Sequence, residues 1–306
     1  MKYLVLCSRA PGNELVAAEC ETLTGGKPGS NGLAFCDSVD RVAQAAYLSK
    51  GVQLIAHGET LQVMIEDLSR LSISADRFRI EFLSLAERES THKQDAVLAA
   101  ADAIHGAPDL SHPRQRFLLV ACDIGFYFGE ILIKSAHSYQ KHNVKPCRTS
   151  SSMPSQLARA LVNLTYPART IVDPCCGTGS ILLEACATGV IAYGLDSNPN
   201  MVEMTRQNLQ HYGYEAVVMC GDAALYTQMI EAVVTDFPYG RLLKRDENNI
   251  KMILRQMVAL APLGIYLDEQ DISNWLREAG YQKVDVYRVP KRAGMTRYVH
   301  RAQIIE

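Results

Sequence analysis

The sequence predicts an α/β protein whose C-terminal half is a doubly wound, mainly parallel sheet. Three observations carry this. From about residue 150 onward, short apolar runs alternate with segments of helix length. The run Thr170-Ile171-Val172 passes through a Gly-containing turn, Asp173-Pro174-Cys175-Cys176-Gly177-Thr178-Gly179, straight into a helix start at Ser180. Four acids, Asp173, Asp196, Asp222 and Asp236, close four successive apolar runs. In such sheets ligands bind outside the strands' carboxyl ends, so these acids fall where a site belongs.

In order, Lys2–Ser8 reads as a strand and Asn13–Leu23 as a helix. A turn-rich patch over 24–32 leads to a short strand at Leu33–Cys36, and Asp40–Ser49 has a helical pattern. Leu61–Leu71 (helix), Arg77–Leu83 (strand), Gln94–His105 (helix) and strands at Arg116–Ala121 and Gly125–Ile133 follow. Residues 137–151 are polar and strand-free, the natural linker. The second half has a helix over Met153–Leu164, strands near 170–173, 190–195, 216–220 and 231–235, and a helix over 248–260. A strand at Leu263–Leu267 and a helix at Ile272–Ala279, stopped by Gly280, precede an antiparallel hairpin, Val284–Val289 with Tyr298–Ile304. Asn198-Pro199 opens the helix that runs to about His211, with proline where its missing N–H costs nothing.

Gly177 and Gly179 would let the backbone pass close to a ligand, but Leu182 stands where a dinucleotide fingerprint needs its third glycine. A carboxylate at Asp173 would repel a pyrophosphate and attract the ammonium and sulfonium of S-adenosylmethionine, which favours a methyl donor over NAD. Asp196 can take both ribose hydroxyls, and Asp222 the adenine amine. A lone Asp after a strand is also an ordinary helix cap. Asp236-Phe237-Pro238-Tyr239-Gly240 follows the buried run Val233-Val234-Thr235. An acid and a backbone acceptor can hold the amine of a flat ring while an aromatic stacks on it, although Asp-x-Pro after a strand is also common turn chemistry.

Together, Asp173-Pro-Cys-Cys-Gly-Thr-Gly, Gly194-Leu-Asp196, Gly221-Asp222-Ala223 and Asp236-Phe-Pro-Tyr239 resemble the signatures of amino-group methyltransferases. Ser152-Met153-Pro154 through Leu157-Ala-Arg159-Ala-Leu-Val-Asn163-Leu is similar to the helix before the first strand in the THUMP-containing tRNA (guanine-10 N2)-methyltransferases of archaea and eukaryotes. His211-Tyr-Gly213 and Ala293-Gly-Met-Thr296-Arg297 fit the same family, and the resemblance covers about residues 146–306. Phe237 stands where that family usually has proline, which puts the rigidity of the turn in question.

The resemblance implies a Rossmann-like class I methyltransferase sheet over 152–306, preceded by a ferredoxin-like lead domain (1–55), a THUMP-like RNA-binding domain (56–136) and a linker (137–151). Asp109-Leu-Ser-His-Pro113 before a strand pair resembles THUMP. It further implies S-adenosyl-L-methionine held by Ser152, Asp173, Cys175, Gly177, Thr178, Gly179, Asp196, Ser197, Asp222 and Ala223. Residues around Ser151–Met153 would meet the methionine carboxylate, and catalysis would rest on Asp236, Pro238 and Tyr239. The target would be the N2 amine of a guanine in tRNA. Other amines (another tRNA or rRNA guanine, or adenine N6) and a non-catalytic RNA-binding protein of decayed methyltransferase fold remain alternatives. Eukaryotic relatives need a small activator subunit, and for this chain the point stays open.

Composition sets outer bounds. The 306 residues suffice for two or more domains. No apolar run reaches membrane-spanning length, the N-terminus reads as a strand and not a signal peptide, and a cytoplasmic location is the default. Nine cysteines without a C-x-x-C pair argue for reduced thiols, against zinc or a disulfide framework. Net charge is −2, yet from Ile131 to Val172 there is no acid, while Lys134, Lys141, Lys145, Arg148, Arg159 and Arg169 fall there. Lys283, Arg288, Lys291, Arg292, Arg297 and Arg301 make a second basic stretch. Clustered cations on a balanced chain suit a phosphate footprint, with Lys134, Lys141, Lys145, Arg148, Arg292 and Arg297 as candidates.

Overall fold

Two sheets organise the chain. The computed structural model describes residues 2–8, 13–85, 92–237, 246–291 and 294–305. The chain separates into one unit of Met1–Arg9, Thr24–Ala43 and Leu48–Ser135, and a second of Ala10–Leu23, Gln44–Tyr47 and Ala136–Glu306.

The first unit is built on six strands: β1 (Tyr3–Cys7), β2 (Leu33–Cys36), β3 (Leu48–Gly58), β4 (Phe78–Ser84), β5 (Gln115–Cys122) and β6 (Gly125–Lys134), in the order β2-β1-β3-β6-β5-β4. Only β4 and β5 run parallel, joined through α3 (Lys93–Asp102). That helix and α2 (Leu61–Arg70) cover one face, where Met64, Leu68, Ala96 and Ala100 meet Phe78, Phe117 and Phe128. The helix expected over Asp40–Ser49 is not there. Val42–Gln44 forms one 3-10 turn, and from Leu48 the chain is strand, pairing with β1 on one side and β6 on the other. Pairing with two distant strands overrides the local helical pattern. The boundary expected at residue 55 therefore falls inside β3.

The second unit holds β7 (Thr170–Asp173), β8 (Ile191–Asp196), β9 (Val217–Cys220), β10 (Ala232–Asp236), β11 (Leu263–Asp268), β12 (Lys283–Pro290) and β13 (Thr296–Gln303). Their order is β12-β13-β11-β10-β7-β8-β9; β7 to β11 are parallel, and the β12–β13 hairpin adds antiparallel to β11. The order reverses between β7 and β10, the switch point at which doubly wound sheets open a crevice. Ala232 to Thr235 are all buried, as a central parallel strand requires. The helices are α4 (Ser155–Asn163), α5 (Ser180–Ala187), α6 (Pro199–Tyr212), α7 (Glu247–Leu260) and α8 (Ser273–Ala279). Asn198 caps α6, accepting from Asn200 N at 3.0 Å, and Gly280 ends α8.

The segment 137–151 does not behave as a free linker. Ser138–Val144 is a 3-10 helix whose Tyr139 and His142 are buried against α4 and α5. An earlier segment also joins this unit: α1 (Asn13–Thr24) places Leu15 and Ala18 in the core with Leu157 and Leu161 of α4. Among the described residues, no helix is long and apolar enough to cross a membrane.

Candidate active site

Asp173 ends β7 and Asp236 ends the neighbouring β10; in the register Ala232 with Ile171 and Val233 with Val172, Asp236 stands two residues beyond the level of Asp173, near enough for its charge to act on it. Asp173 is 2% exposed. Its Oδ1 accepts from Thr235 Oγ1 at 2.8 Å and from Cys175 N at 3.1 Å. Burial pushes its carboxyl up to about 7, the charges of Asp236 and Asp196 push in the same direction, and the two hydrogen bonds only partly oppose them. Burial likewise raises the Cys175 thiol, which disfavours its thiolate form.

The turn from β7 to α5 needs its glycines, since Gly177 (φ 53°) and Gly179 (φ 76°) both take left-handed backbone. A Cβ built on Gly177 would meet nothing within 4 Å, so that side of the turn is open; one on Gly179 would come 2.8 Å from Thr205 Cγ2. The turn is braced from below by α6. Thr205 Oγ1 donates to Gly177 O at 2.6 Å, and Asn208 Nδ2 donates to Thr178 O and Cys147 O, both at 2.9 Å, while its Oδ1 accepts from Cys147 N at 2.8 Å. Ser152 Oγ lies 3.0 Å from Thr178 Oγ1 and accepts from Thr149 N at 2.9 Å.

Asp196 is half-buried, with Oδ2 accepting from Gly177 N and Oδ1 from Asn198 N, each at 2.9 Å. Each oxygen keeps a second lone pair for a hydroxyl. Asp222 caps the 3-10 turn Ala223–Leu225, Oδ1 accepting from Ala224 N at 2.9 Å, and is exposed. The capping reading is thus observed, with Oδ2 available beside it. Ser197 is exposed and Ala223 buried.

Phe237 resolves the question raised by the missing proline. It is 1% exposed, its N–H donates to Leu267 O at 3.1 Å, and its ring lies parallel to Tyr266 at 5.8 Å between centroids. Tyr266 in turn shares a 2.8 Å hydrogen bond with the Tyr281 hydroxyl. The residue after Asp236 is therefore fixed by packing and a strand hydrogen bond, where a proline would fix φ. Pro238 and Tyr239 lie outside the described residues, as does Arg292.

Two of the candidate phosphate ligands, Lys145 and Arg297, turn inward. Lys134 belongs to the first unit, with Nζ 2.9 Å from Glu81 Oε1. Lys145 and Arg297 are buried, at 3% and 7% exposure, and cannot serve as surface cations; Arg159 is buried against Glu184. Lys141, its Nζ 5.3 Å from the Tyr214 ring centre, and Arg148, donating to Asn143 O at 3.0 Å, are exposed. Sequence clustering counts charges without regard to which side chains turn inward. Sequence reading also missed Thr205 and Asn208. Their signal was polar residues on the buried stripe of α6, in phase with Val202 and Leu209.

Residues 142–292 match the UPF0020 family, described as RMKL-like, methyltransferase domain. A tRNA (guanine(10)-N2)-dimethyltransferase of Pyrococcus abyssi is 41% identical over 107 residues, 33% of this chain and 32% of that protein. One of Methanothermobacter thermautotrophicus is 38% identical over 115 residues, 36% of this chain and 34% of that protein. The matched segment thus spans about a third of the length of these curated relatives. Among solved structures, TrmN from Thermus thermophilus is similar over 100% of both chains with a TM-score of 0.50 at 16% identity, a likeness of fold. Glycine turn, acidic strand ends and the match to the UPF0020 methyltransferase domain coincide on one stretch, residues 142–292.

Proposed function

We propose that this protein transfers a methyl group from S-adenosyl-L-methionine to the exocyclic N2 amine of a guanine in tRNA, at position 10. The observation that carries the reading is that Asp173 and Asp236 end neighbouring strands at the switch point and feel one another's charge, which suits a donor-side acid near an acceptor-side acid. The names of the two archaeal relatives support the base, the position and a double transfer. A cytoplasmic location goes with this substrate.

The residues fit the donor. The charges of Asp236 and Asp196 raise the cost of ionising Asp173, which a bound ammonium and sulfonium would relieve. The open side of Gly177 leaves room for close approach. When bound, the donor supplies a methyl activated by its sulfonium. Asp173 would hold the amino group, Asp196 the ribose and Asp222 the adenine.

The guanine must leave its stack, at a cost of about a few kcal/mol. Stacking on an aromatic such as Tyr239 returns about 1–3 kcal/mol. The N2 lone pair is delocalised into the ring, so the amine is a poor nucleophile. Asp236, accepting one N–H, and the backbone at Pro238, accepting the other, turn the lone pair out of the ring plane toward the methyl. The excess proton on the methylated nitrogen then leaves to the Asp236 carboxylate. Orientation and fixed charge do the work.

The test is tritium transfer from labelled S-adenosylmethionine to an unmodified tRNA transcript and to one with guanine 10 replaced. Transfer to the first alone is expected. Equal transfer to both overturns the position, and transfer to neither overturns the substrate.

A further inference from the structure

A hydroxyl is buried in the middle of the parallel sheet. Ala232, Val233 and Val234 of β10 are apolar and fully buried, and Thr235 after them is fully buried as well. Valine has the same β-branched shape and would fill this place without a polar atom, so the hydroxyl needs a partner to offset its burial. That partner is Asp173. Thr235 Oγ1 donates to Asp173 Oδ1 at 2.8 Å, and Cys175 N donates to the same oxygen at 3.1 Å. Continuing the register of Val233 with Val172, Thr235 stands one residue beyond the level of Asp173 and one before Asp236.

Both donors end on Oδ1, which leaves Oδ2 as the oxygen a ligand would meet. Both also favour the ionised carboxylate over the protonated one. The other groups that face Asp173 oppose its ionisation or are neutral. Burial is the largest influence, and Asp236 on β10 and Asp196 on β8 add like charge. Cys175, whose thiol also meets the Thr235 hydroxyl, and Cys176 are kept protonated by burial. The balance leaves the Asp173 carboxyl at about 7. A group so poised is partly ionised at neutral pH, and one hydrogen bond more or less changes how much of the protein stands ready for a cation.

We propose that Thr235 is a positioning residue of the donor site: its hydroxyl holds Asp173 ionised at neutral pH and presents Oδ2 to the ligand's ammonium. This rests on the donor assignment above. Being fully buried, Thr235 meets no ligand itself and acts through Asp173. No covalent bond changes except that a proton leaves Asp173 for solvent as the ligand binds.

The experiment is calorimetric titration of the full chain with S-adenosylhomocysteine, from pH about 6 to about 9, on wild type, Thr235→Val and Thr235→Ser. Taking the ratio of wild-type to variant affinity at each pH cancels the ligand's own ionisation. Thr235→Val keeps the shape and removes the donor, and should raise the Asp173 carboxyl by about one pH unit. Its ratio should then be about tenfold at pH about 6 and close to within about twofold by pH about 9. Thr235→Ser restores the hydroxyl and should stay within about twofold of wild type throughout. A side chain that only fills space would weaken binding by one factor at every pH. A ratio flat with pH therefore overturns the proposal, as does a serine variant that behaves like valine. Should Thr235→Val not fold, the wild type answers alone by carbon NMR. The Thr235 methyl signal should titrate together with the Asp173 carboxyl signal, at about 7; a Thr235 signal that does not move through that range overturns the proposal. Wild type that binds the ligand beside a flat ratio defeats this inference alone, whereas wild type that does not bind it defeats the donor assignment as well.

Discussion

Asn163 Nδ2 donates to Glu19 Oε1 at 2.7 Å, across 144 residues of sequence, so a helix from near the N-terminus is stitched into the second unit. Glu19 is fully buried and also accepts from Ala46 N at 2.8 Å and Tyr47 N at 2.7 Å. Arg159 Nη1 donates to Gln44 O at 3.0 Å and Gln156 Nε2 to Ala46 O at 2.9 Å. The second unit is thus discontinuous in sequence. A fragment of 152–306 is expected to lack a cooperative urea transition. Glu19→Ala in the full chain should lose about 1–3 kcal/mol by leaving buried donors unpaired. A fragment melting at the full-chain midpoint would refute this account of the unit.

Asp173 combines burial, a raised pKa and a functional charge. A cation held there stabilises the ionised form, so donor binding near pH 7 should release a proton, and affinity should rise as pH passes upward through about 7. Titrations in two buffers of different ionisation enthalpy measure the release; identical heats would show that Asp173 does not change state. For stability the sign is reversed. The folded state holds this proton above the ordinary carboxylate range, so Asp173 ionisation weakens the fold as pH rises from about 4 to about 7. Asp173→Asn should therefore melt a few degrees higher at pH about 7.5 while losing donor binding.

Asp236 should separate chemistry from donor binding. Asp236→Ala is expected to cut turnover by about 10²–10³ or more, comparable to removing an oriented polar group in other enzymes, with donor affinity within about threefold. Single-turnover transfer and calorimetry together check this. Near-wild-type turnover would remove Asp236 from the reaction.

Asn208 holds the glycine turn through Thr178 O and the preceding segment through both polar atoms of the Cys147 backbone. Asn208→Ala should weaken donor binding by about tenfold and stability by about 1–3 kcal/mol. A variant that loses stability but binds the donor normally would show that the brace serves folding alone.

Phe237 is locked by its ring and its N–H. Phe237→Ala should cost about 3–5 kcal/mol through the cavity it opens. Phe237→Pro should also destabilise, because it removes both the ring packing and the hydrogen bond to Leu267 O. Urea midpoints for both variants decide this; a stabilised proline variant would mean that the turn, and not the packing, governs the position.

The sequence by itself determined the doubly wound half, because four of its five parallel strands, β7, β8, β10 and β11, are short, apolar and followed by a helix within one local unit, and because the glycine turn and the four strand-end acids are local patterns. From Thr170 to Asp236 the strands fall within a residue or two of the expected places. What tertiary structure decided is non-local. Residues 48–58 became strand because β1 and β6 flank them, although 40–49 had a helical pattern. Residues 137–151 docked, and did not link, because Glu184 on α5 offers a buried partner to His142. Lys145 turned inward to the start of α5, out of the surface run its neighbours suggested. Local periodicity fixes how a segment prefers to fold; burial and partner choice depend on chain brought near from tens of residues away, and no local pattern records that.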